Sequence, residues 1–282
     1  MKIAVVPNFD KKDAGIYTEK ILSLLQDHGA EILMHRKDAG KFPGVTACRD
    51  HEDMISQCDV VIAVGGDGTI IHTAKHASVH EKPILGVNLG RLGFLCDVEK
   101  DCPEEINKLF SGAYSIRKRM MLEITVESAN GTRQYHALND AVISGAQSKI
   151  FDFDLSVNDS EGYHFRADGL ILATPTGSTA YSLSSGGPVV DPEIECILFT
   201  PICPHSLFNR STVFSADKVL KISADSEYTG EVYLTVDGDT PVLLHSTDTV
   251  SIRRSERYTK SVIVQKRDFY DIVNRKFILN RG

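Results

Sequence analysis

The sequence has no long apolar run, and this argues against a membrane-spanning helix. A span needs about 20 consecutive apolar residues, and no stretch of the 282 residues approaches that length. The apolar residues at the start, Ile3–Val6, are followed at once by charges at positions 10–12. They therefore predict a first strand rather than a signal sequence. We expect a soluble protein with no membrane partner.

Cysteine motifs for redox chemistry or zinc are also missing. The six cysteines form no Cys-x-x-Cys pair and no zinc-like spacing with histidine. In a chain of this length, such cysteines are typical of reduced, mostly buried small side chains. This pattern predicts a cytoplasmic location and no protein-bound metal site.

Positive charge is in deficit, with 31 Lys and Arg against 38 Asp and Glu and a net charge of −7. Nonspecific binding to nucleic acid or to an anionic membrane requires a basic surface. We therefore expect no nucleic-acid partner. An anionic nucleotide substrate remains compatible with this charge if the protein provides a locally basic pocket.

The hydrophobic pattern predicts two kinds of domain. Apolar strands alternate with helical periodicity in the first third, which is typical of a doubly wound, Rossmann-like α/β sheet. Short strands between polar or glycine-containing turns follow, and they favour a mostly β, sandwich-like domain. Helical periodicity returns near the end. We predict an α/β domain over residues 1–100, a β-rich domain over 101–265, and a C-terminal helix over 266–282 that packs back on the first domain.

The sharpest local feature is a glycine-rich turn, Gly65-Gly66-Asp67-Gly68-Thr69, between a buried apolar strand and a helix. Glycines let the backbone approach a ligand closely and adopt positive φ. The first turn of a helix offers unpaired N–H groups to phosphate oxygens. Asp67 places a carboxylate there, able to bind Mg²⁺ or accept a proton during phosphoryl transfer. The alternative is a tight turn in which Asp67 only caps the helix.

Several better-known motifs are absent. There is no Gly-x-x-x-x-Gly-Lys-Ser/Thr phosphate loop, and no Gly-x-Gly-x-x-Gly follows the first strand, so hydride transfer at a standard dinucleotide site is unsupported. No Gly-x-Ser-x-Gly elbow exists, which argues against a hydrolase. Asp237-Gly-Asp239 lacks the later glutamate of a calcium loop and fits a hairpin turn.

Three histidines, His72, His76 and His80, share one face of the helix after the glycine turn. The spacing can suit a transition metal. No nearby cysteine or carboxylate completes such a site in the sequence. We therefore interpret the stripe as solvated or facing a substrate.

A second cluster of hydroxyls and glycines lies downstream. It comprises Asp168-Gly169, Thr174-Pro-Thr-Gly-Ser-Thr-Ala-Tyr181 and Ser184-Ser-Gly-Gly-Pro188. Composition alone fits a solvated loop, but the middle segment directly follows an apolar strand, where ligand-binding loops tend to lie. Hydroxyls, free N–H groups and a tyrosine ring suit a ribose, a phosphate and a flat base.

These motifs, together with Asn139-Asp140 and Pro204-His-Ser-Leu207, resemble the NAD kinases in order and spacing over roughly residues 1–270. The Gly-Gly-Asp-Gly turn is shared with diacylglycerol-type lipid kinases and phosphofructokinases, whereas the segment 174–181 is close to diagnostic. Two positions depart from the family pattern. Asp140 stands where Glu is more common, which shortens the reach of the carboxylate, and Arg210 precedes Ser211 rather than Pro.

The resemblance implies a role for each matching position. Asp67 would be the general base that activates the ribose 2′-hydroxyl, with Gly68 beside the nucleotide. Asn139 and Asp140 would bind adenosine, and Asp168 the nicotinamide side. The remaining predicted contacts are the groove residues Thr176, Thr179, Ala180, Tyr181 and Ser184, and the phosphate-facing residues His72, Lys149 and Arg166.

The resemblance also implies the reaction and its partners. The expected activity is phosphorylation of the 2′-hydroxyl of the adenosine ribose of NAD by ATP with Mg²⁺, giving NADP, in a homodimer or homotetramer. Polyphosphate stays open as a donor. Two alternatives stay open as well: a lipid kinase of the diacylglycerol type, which would have no use for segment 174–181, and a non-catalytic NAD(P)-binding regulator, which would have no use for Asp67.

Overall fold

The computed structural model describes residues 1–146, 149–158, 160, 162–205, 210–224, 230–265 and 268–279. The chain divides into two compact units. The first comprises Met1–Lys118 with Arg257–Gly282, and the second comprises Arg119–Glu256.

The first unit begins with alternating strands and helices. In chain order they are β1 (Lys2–Pro7), α1 (Ala14–Asp27), β2 (Glu31–His35), α2 (Arg36–Ala39), β3 (Thr46–Cys48), α3 (His51–Gln57), β4 (Val60–Gly65), α4 (Asp67–Val79), β5 (Pro83–Asn88), β6 (Val98–Glu99), a 3₁₀ turn (Pro103–Asn107), α5 (Lys108–Ser111) and β7 (Ser115–Ser128), which continues into the second unit.

The second unit is built mainly from strands. They are β8 (Gly131–Ala137), β9 (Asp140–Gly145), β10 (Phe151–Val157), β11 (Tyr163–Ala167), β12 (Gly169–Ala173), a 3₁₀ turn (Thr176–Thr179), α6 (Tyr181–Ser184), β13 (Cys196–Ile202), β14 (Thr212–Ser215), β15 (Leu220–Ala224), β16 (Val232–Val236), β17 (Val242–Leu244) and β18 (Thr249–Ile263), which returns to the first unit. The chain ends with α7 (Phe269–Val273) and a π-helical turn (Asn274–Leu279).

The sheet of the first unit is parallel, in the order β3-β2-β1-β4-β5. Every residue of β4 is buried, as a strand covered by helices on both faces requires. The order reverses direction between β1 and β4, and ligands of open α/β sheets bind at such a switch point, beyond the carboxyl ends of the strands. The predicted doubly wound sheet is confirmed.

The second unit contains antiparallel sheets. One has the order β14-β13-β12-β9-β16-β17, and β10 pairs with β11 and β15 in another. Apolar side chains from both, such as Leu172, Leu234, Phe153 and Ile222, belong to one buried cluster. Two sheets that share one core define a sandwich, so the predicted mostly β unit is confirmed.

The division between the units differs from the sequence-based one at residues 100 and 265. The helical turns after β6 stay with the first unit, because His28 of α1 stacks on Phe110 with ring centroids 4.2 Å apart and bonds Asn107. The last part of β18 also belongs there, since Lys260 and Ser261 pair with β5. Composition alone predicts neither that the turns after β6 stay with the first unit nor that the end of β18 joins it.

The cysteines are mostly buried, as expected of small apolar side chains. All six cysteines are free, and Cys48, Cys58, Cys96 and Cys196 are buried. Among the described residues, no helix combines the length and the apolar character needed to cross a membrane.

Candidate active site

The glycine-rich turn joins the end of β4 to the start of α4, at the switch point of the parallel sheet. Asp67 is the first residue of α4, and Gly66 precedes it with an extended φ of 177°. Positive φ was expected of these glycines, but Gly65, Gly66 and Gly68 do not adopt it. Close packing explains Gly65, because a Cβ there would lie 2.2 Å from Thr69 Oγ1. A Cβ on Gly66 or Gly68 would meet nothing within 4 Å, so packing does not account for these two glycines.

The carboxylate of Asp67 is held by the loop after β5. Phe94 N–H donates to Oδ2 at 2.8 Å and Leu95 N–H donates to Oδ1 at 3.0 Å. Gly93 makes this approach feasible, because a Cβ there would lie 2.1 Å from Asp67 Oδ1. Asp67 is half-buried. Its carboxylate is therefore oriented by fixed dipoles and keeps further lone pairs for a ligand.

The neighbouring Cys96 is not a nucleophile. Burial raises the pKa of the Cys96 thiol far above its ordinary range, and the negative charge of Asp67 adds to the effect. The thiol therefore stays protonated at neutral pH. Asp67 is the group of this turn that can accept a proton.

A cavity of about 630 Å³ opens beside the turn. Its walls come from the end of β1, the end of β2 and the first turn of α4, and they include His35, Lys37, Lys41, His51, Gly68 and His72. This is the position that the switch-point rule assigns to a ligand. Lysine ammonium groups and the free N–H groups of a helix start both favour phosphate.

Four imidazoles cluster on one side of this cavity. The ring centroid of His51 lies 5.3 Å from that of His35, 5.9 Å from that of His72 and 5.5 Å from that of His76. Burial, followed by the charges of His76 and the other neighbours, lowers the pKa of His51 to about 4. His51, which contacts the other three rings, is therefore neutral at pH 7. Within the described ranges, no group of three or more His, Cys, Asp and Glu could hold a metal.

The second unit places Asn139 and Asp140 at the junction of β8 and β9. The two strands are separated here, where Asp237 binds three consecutive backbone N–H groups. Its carboxylate accepts from Leu138 at 2.8 Å, Asn139 at 2.8 Å and Asp140 at 3.0 Å. Asp237 has a φ of 50°, which is uncommon for a residue other than glycine.

Asp140 is buried, with 6% of its surface exposed. Removal from water, and then the nearby charge of Asp237, raises its pKa to about 7. A carboxyl group of this kind changes charge near neutral pH, which is typical of functional sites.

The segment after β12 packs directly on this junction. Ala173 pairs with Asp140, so Thr174 follows beside Asn139; its N–H bonds Asn139 O at 2.8 Å and its hydroxyl bonds Leu138 O at 2.6 Å. Thr174, Thr176 and Ser178 are buried. The hydroxyls of Thr174 and Ser178 donate to backbone oxygens, and that of Thr176 accepts from Arg119 at 3.5 Å. This part of the segment is therefore not the solvated loop that composition alone fits.

The exposed part of the segment begins one turn later. Thr179 and Ala180 are half-buried and Ser184 is exposed. Tyr181 has 46% of its surface exposed, so its ring can meet a ligand. The structure thus places Asn139 against Thr174 and Gly177, and the exposed residues follow directly along the chain.

Three predicted residues lie at the other end of β12. Asp168 immediately precedes this strand and bonds Gly145 N–H through its backbone oxygen at 3.1 Å. Lys149 and Arg166 are exposed nearby in the chain, and Arg166 Nε lies 3.9 Å from Asp152 Oδ1. Five residues of strand span roughly 17 Å, so these residues do not join the Asn139 group. Of Pro204-His-Ser-Leu207, residues 206 and 207 lie outside the described residues.

Sequence reasoning missed the groups that hold the site residues. Backbone amides such as those of Phe94 and Leu95 cannot be identified from residue types. The need for glycine at position 93 appears only in the structure, where the carboxylate of Asp67 leaves no room for a Cβ. Asp237 was interpreted as a residue of a hairpin turn. Its position before a glycine was the available signal, because Asp-Gly pairs often adopt positive φ.

The fold and the site define a class of protein: a nucleotide-dependent phosphotransferase with a Gly-Gly-Asp-Gly turn at the switch point of its sheet. The family models agree. The ATP-NAD kinase N-terminal domain matches residues 3–117, and the ATP-NAD kinase C-terminal domain matches residues 138–264. The chain belongs to the ATP-NAD kinase family.

Relatives extend over the full chain. It is 38% identical over 278 residues to an NAD kinase of Caldanaerobacter subterraneus subsp. tengcongensis, and 40% identical over 278 residues to one of Symbiobacterium thermophilum. Each alignment covers 98% of both chains. A yeast NADH kinase solved in complex with NADH superposes with a TM-score of 0.89 at 25% identity, covering 100% of this chain and 89% of the other. The lipid-kinase alternative has no support among these relatives.

Proposed function

We propose that this protein transfers a phosphoryl group from ATP to the 2′-hydroxyl of the adenosine ribose of NAD, with Asp67 as the general base. The observation that carries the proposal is the carboxylate of Asp67, held by the N–H groups of Phe94 and Leu95. The two residues that follow it in α4, Gly68 and Thr69, line the cavity of about 630 Å³. A residue that only caps a helix would bond its own first turn, whereas the carboxylate of Asp67 accepts from the loop after β5, at Phe94 and Leu95.

The chemistry requires little more of the base than correct placement. A ribose hydroxyl is a weak nucleophile, so a carboxylate that takes its proton as the new bond forms lowers the barrier. Phosphoryl transfer otherwise depends on alignment and on neutralising charge. Fixed backbone dipoles give Asp67 one orientation, which reduces the reorganisation needed at the moment of transfer.

We assign the phosphate donor to the cavity beside α4. Lys37 and Lys41 line it together with the N-terminal turn of the helix, and both features favour a polyphosphate chain. Mg²⁺ commonly binds through one or two carboxylates together with substrate phosphates. Asp10, which lines the cavity, would supply such a carboxylate, and the ion would neutralise phosphate charge. Inorganic polyphosphate is a donor that the same features could accept.

We assign adenosine recognition to Asn139 and Asp140, and the wall of the NAD groove to residues 176–184. An exposed tyrosine ring suits stacking on a flat base, and the carboxyl group of Asp140 suits hydrogen bonds to the hydroxyls of a ribose. His72 and Gly68 lie on the donor side.

Asp168, Lys149 and Arg166 form a separate group at the opposite end of β12, and we propose that they contact another part of the dinucleotide or the site of a second copy. The second possibility accords with a homodimer or homotetramer. Lys149 and Arg166 are exposed cations, as contact with a phosphate would require. The unpaired cysteines are consistent with a cytoplasmic location.

Asp140 leads to a prediction about pH. Because its folded-state pKa is raised to about 7, the protonated form stabilises the fold, and this contribution is lost as the pH rises through 7. Asp140→Asn removes the ionisation. Without ligand, the variant should exceed the parent in free energy of unfolding by about 2–4 kcal/mol at pH 8, and the difference should shrink at pH 5. Urea unfolding at both pH values measures this; a difference independent of pH would contradict it.

A direct assay tests the proposed function. Purified protein with NAD, ATP and Mg²⁺ should form NADP, detected by an NADP-specific dehydrogenase, and diacylglycerol in place of NAD should give no phosphorylated product. Parallel reactions with NADH and with polyphosphate define the acceptor and the donor. Binding of NAD in a calorimeter with NADP formation at background would instead identify a non-catalytic regulator.

A further inference from the structure

The loop that orients Asp67 is itself covered by the C-terminal end of the chain. Phe94, whose N–H bonds Asp67, is half-buried. Its ring centroid lies 6.0 Å from that of Phe269 and 5.9 Å from that of Phe277. Lys276 Nζ lies 4.2 Å from the Phe94 ring centroid, within the range of a cation–π contact. Residues of α7 and of the following π-helical turn thus cover one side of Phe94.

A second attachment ties the loop to the chain shortly before this C-terminal segment. Asp97, at the end of the loop, accepts from the N–H groups of Val264 at 2.5 Å and Gln265 at 2.8 Å. Asp97 is 6% exposed, and buried carboxylate bonds to N–H groups are strong. The loop is therefore bound to the C-terminal stretch both at Asp97 and at Phe94.

The rest of the loop is held by the parallel sheet. Asn88 at the end of β5 bonds Arg91 O at 3.0 Å through Nδ2 and Gly90 N–H at 3.0 Å through Oδ1. Leu95 and Cys96 are buried. The half-buried ring of Phe94, by contrast, meets the C-terminal rings of Phe269 and Phe277.

We propose that Phe277, with Phe269 and Lys276, is a positioning element for Asp67: the C-terminal segment, residues 268–279, fixes Phe94 and so aims the general base. The inference rests on the proposed function of Asp67. These three residues lie far from Asp67 in sequence. In this proposal they contact neither its carboxylate nor the substrates, and they act through Phe94.

The test compares Phe277→Ala with the matched control Arg275→Ala. Arg275 is an exposed residue of the same turn, so its truncation perturbs the segment without removing a ring from Phe94. Phe277→Ala should lower kcat about tenfold, since misplacement of a reacting group by about 1 Å can cost up to about 100-fold. The KM values for NAD and ATP should change little. Phe277→Leu should restore part of kcat, and Arg275→Ala should retain all of it.

Two readouts separate positioning from general loosening of the fold. Hydrogen exchange of the peptide containing the Phe94 and Leu95 amides should quicken in Phe277→Ala and not in Arg275→Ala. In an Asp67→Asn background, Phe277→Ala should reduce kcat much less than it does in the parent, because the group that it positions is already lost.

The outcomes are decisive in each direction. An unchanged kcat, an unchanged exchange rate at Phe94 and Leu95, or an equal loss of kcat with and without Asp67 would each overturn the proposal. Full activity of Asp67→Asn alone would remove the proposed general base. In that case the exchange experiment still reports whether the segment holds the loop, so the two failures are distinguishable.

Discussion

Asp67→Asn is expected to reduce kcat by about 10²–10⁴-fold, the typical contribution of a general base. The asparagine side chain has nearly the same shape but cannot accept the ribose proton. Its amide group must also present N–H to one of the two backbone donors, Phe94 or Leu95, so the loss of one hydrogen bond should lower stability by about 1 kcal/mol. Steady-state kinetics with saturating NAD and ATP measures the first effect, and thermal unfolding the second.

Asp101→Asn is the matched control for this experiment. Asp101 is exposed in the turn after β6, and its replacement changes the net charge by the same amount. The control should keep the parental kcat. Full activity in folded Asp67→Asn would remove Asp67 from the catalytic role, whatever the remaining residues do.

Gly177→Ala should have the second large effect, in the unit that we assign to NAD recognition. A Cβ on Gly177 would lie 2.1 Å from Asn139 O and 2.6 Å from its carbonyl carbon. These are backbone atoms within a junction fixed by Thr174 and Asp237, so they cannot move aside as a flexible side chain could. Overpacking of this kind destabilises by about 1–3 kcal/mol, and displacement of Asn139 should raise the KM for NAD at least tenfold, about 1.4 kcal/mol.

Gly15→Ala provides the contrast. Gly15 lies in α1, where a Cβ would meet nothing within 4 Å, and alanine favours a helix over glycine. This variant should be as stable as the parent or slightly more stable, with unchanged kinetics. If Gly177→Ala matched it in stability and in KM, the close contact with Asn139 would have no functional importance.

The fold was predictable from the sequence where local patterns determine it. The continuous apolar run of β4 and the periodicity of α4 follow from burial on both faces and on one face, respectively. The return of the chain at the end of β18 could not be predicted in this way. It depends on pairing with β5, a contact between residues far apart in sequence, and periodicity carries no information about such partners.

The site was predictable in part, for a related reason. Asp67 stood out because a carboxylate among glycines at a helix start has few structural explanations. Resemblance to a family marked Asn139, Asp140 and Tyr181. The groups that fix these residues were not predictable, because backbone N–H groups such as those of Phe94 and Leu95 are common to all residues. Only the three-dimensional fold shows which of them meet a carboxylate.

Segment 174–181 shows how composition misleads. A run of hydroxyls and glycines is typical of solvated loops, yet the hydroxyls of Thr174 and Ser178 bond backbone groups of the same unit. Hydroxyl side chains that serve in this way let a chain turn sharply inside a core without leaving polar groups unpaired. What remains for the ligand is the exposed end, where Tyr181 lies.

A crystal structure of the protein with bound NAD would test the central claim most directly, through the distance between the adenosine ribose 2′-oxygen and the nearer carboxylate oxygen of Asp67. The account predicts a separation of about 2.6–3.2 Å, the reach of a hydrogen bond between a base and the proton that it removes. A dinucleotide bound in every copy with its 2′-oxygen well beyond that reach, and with no single water between the two atoms, would contradict it.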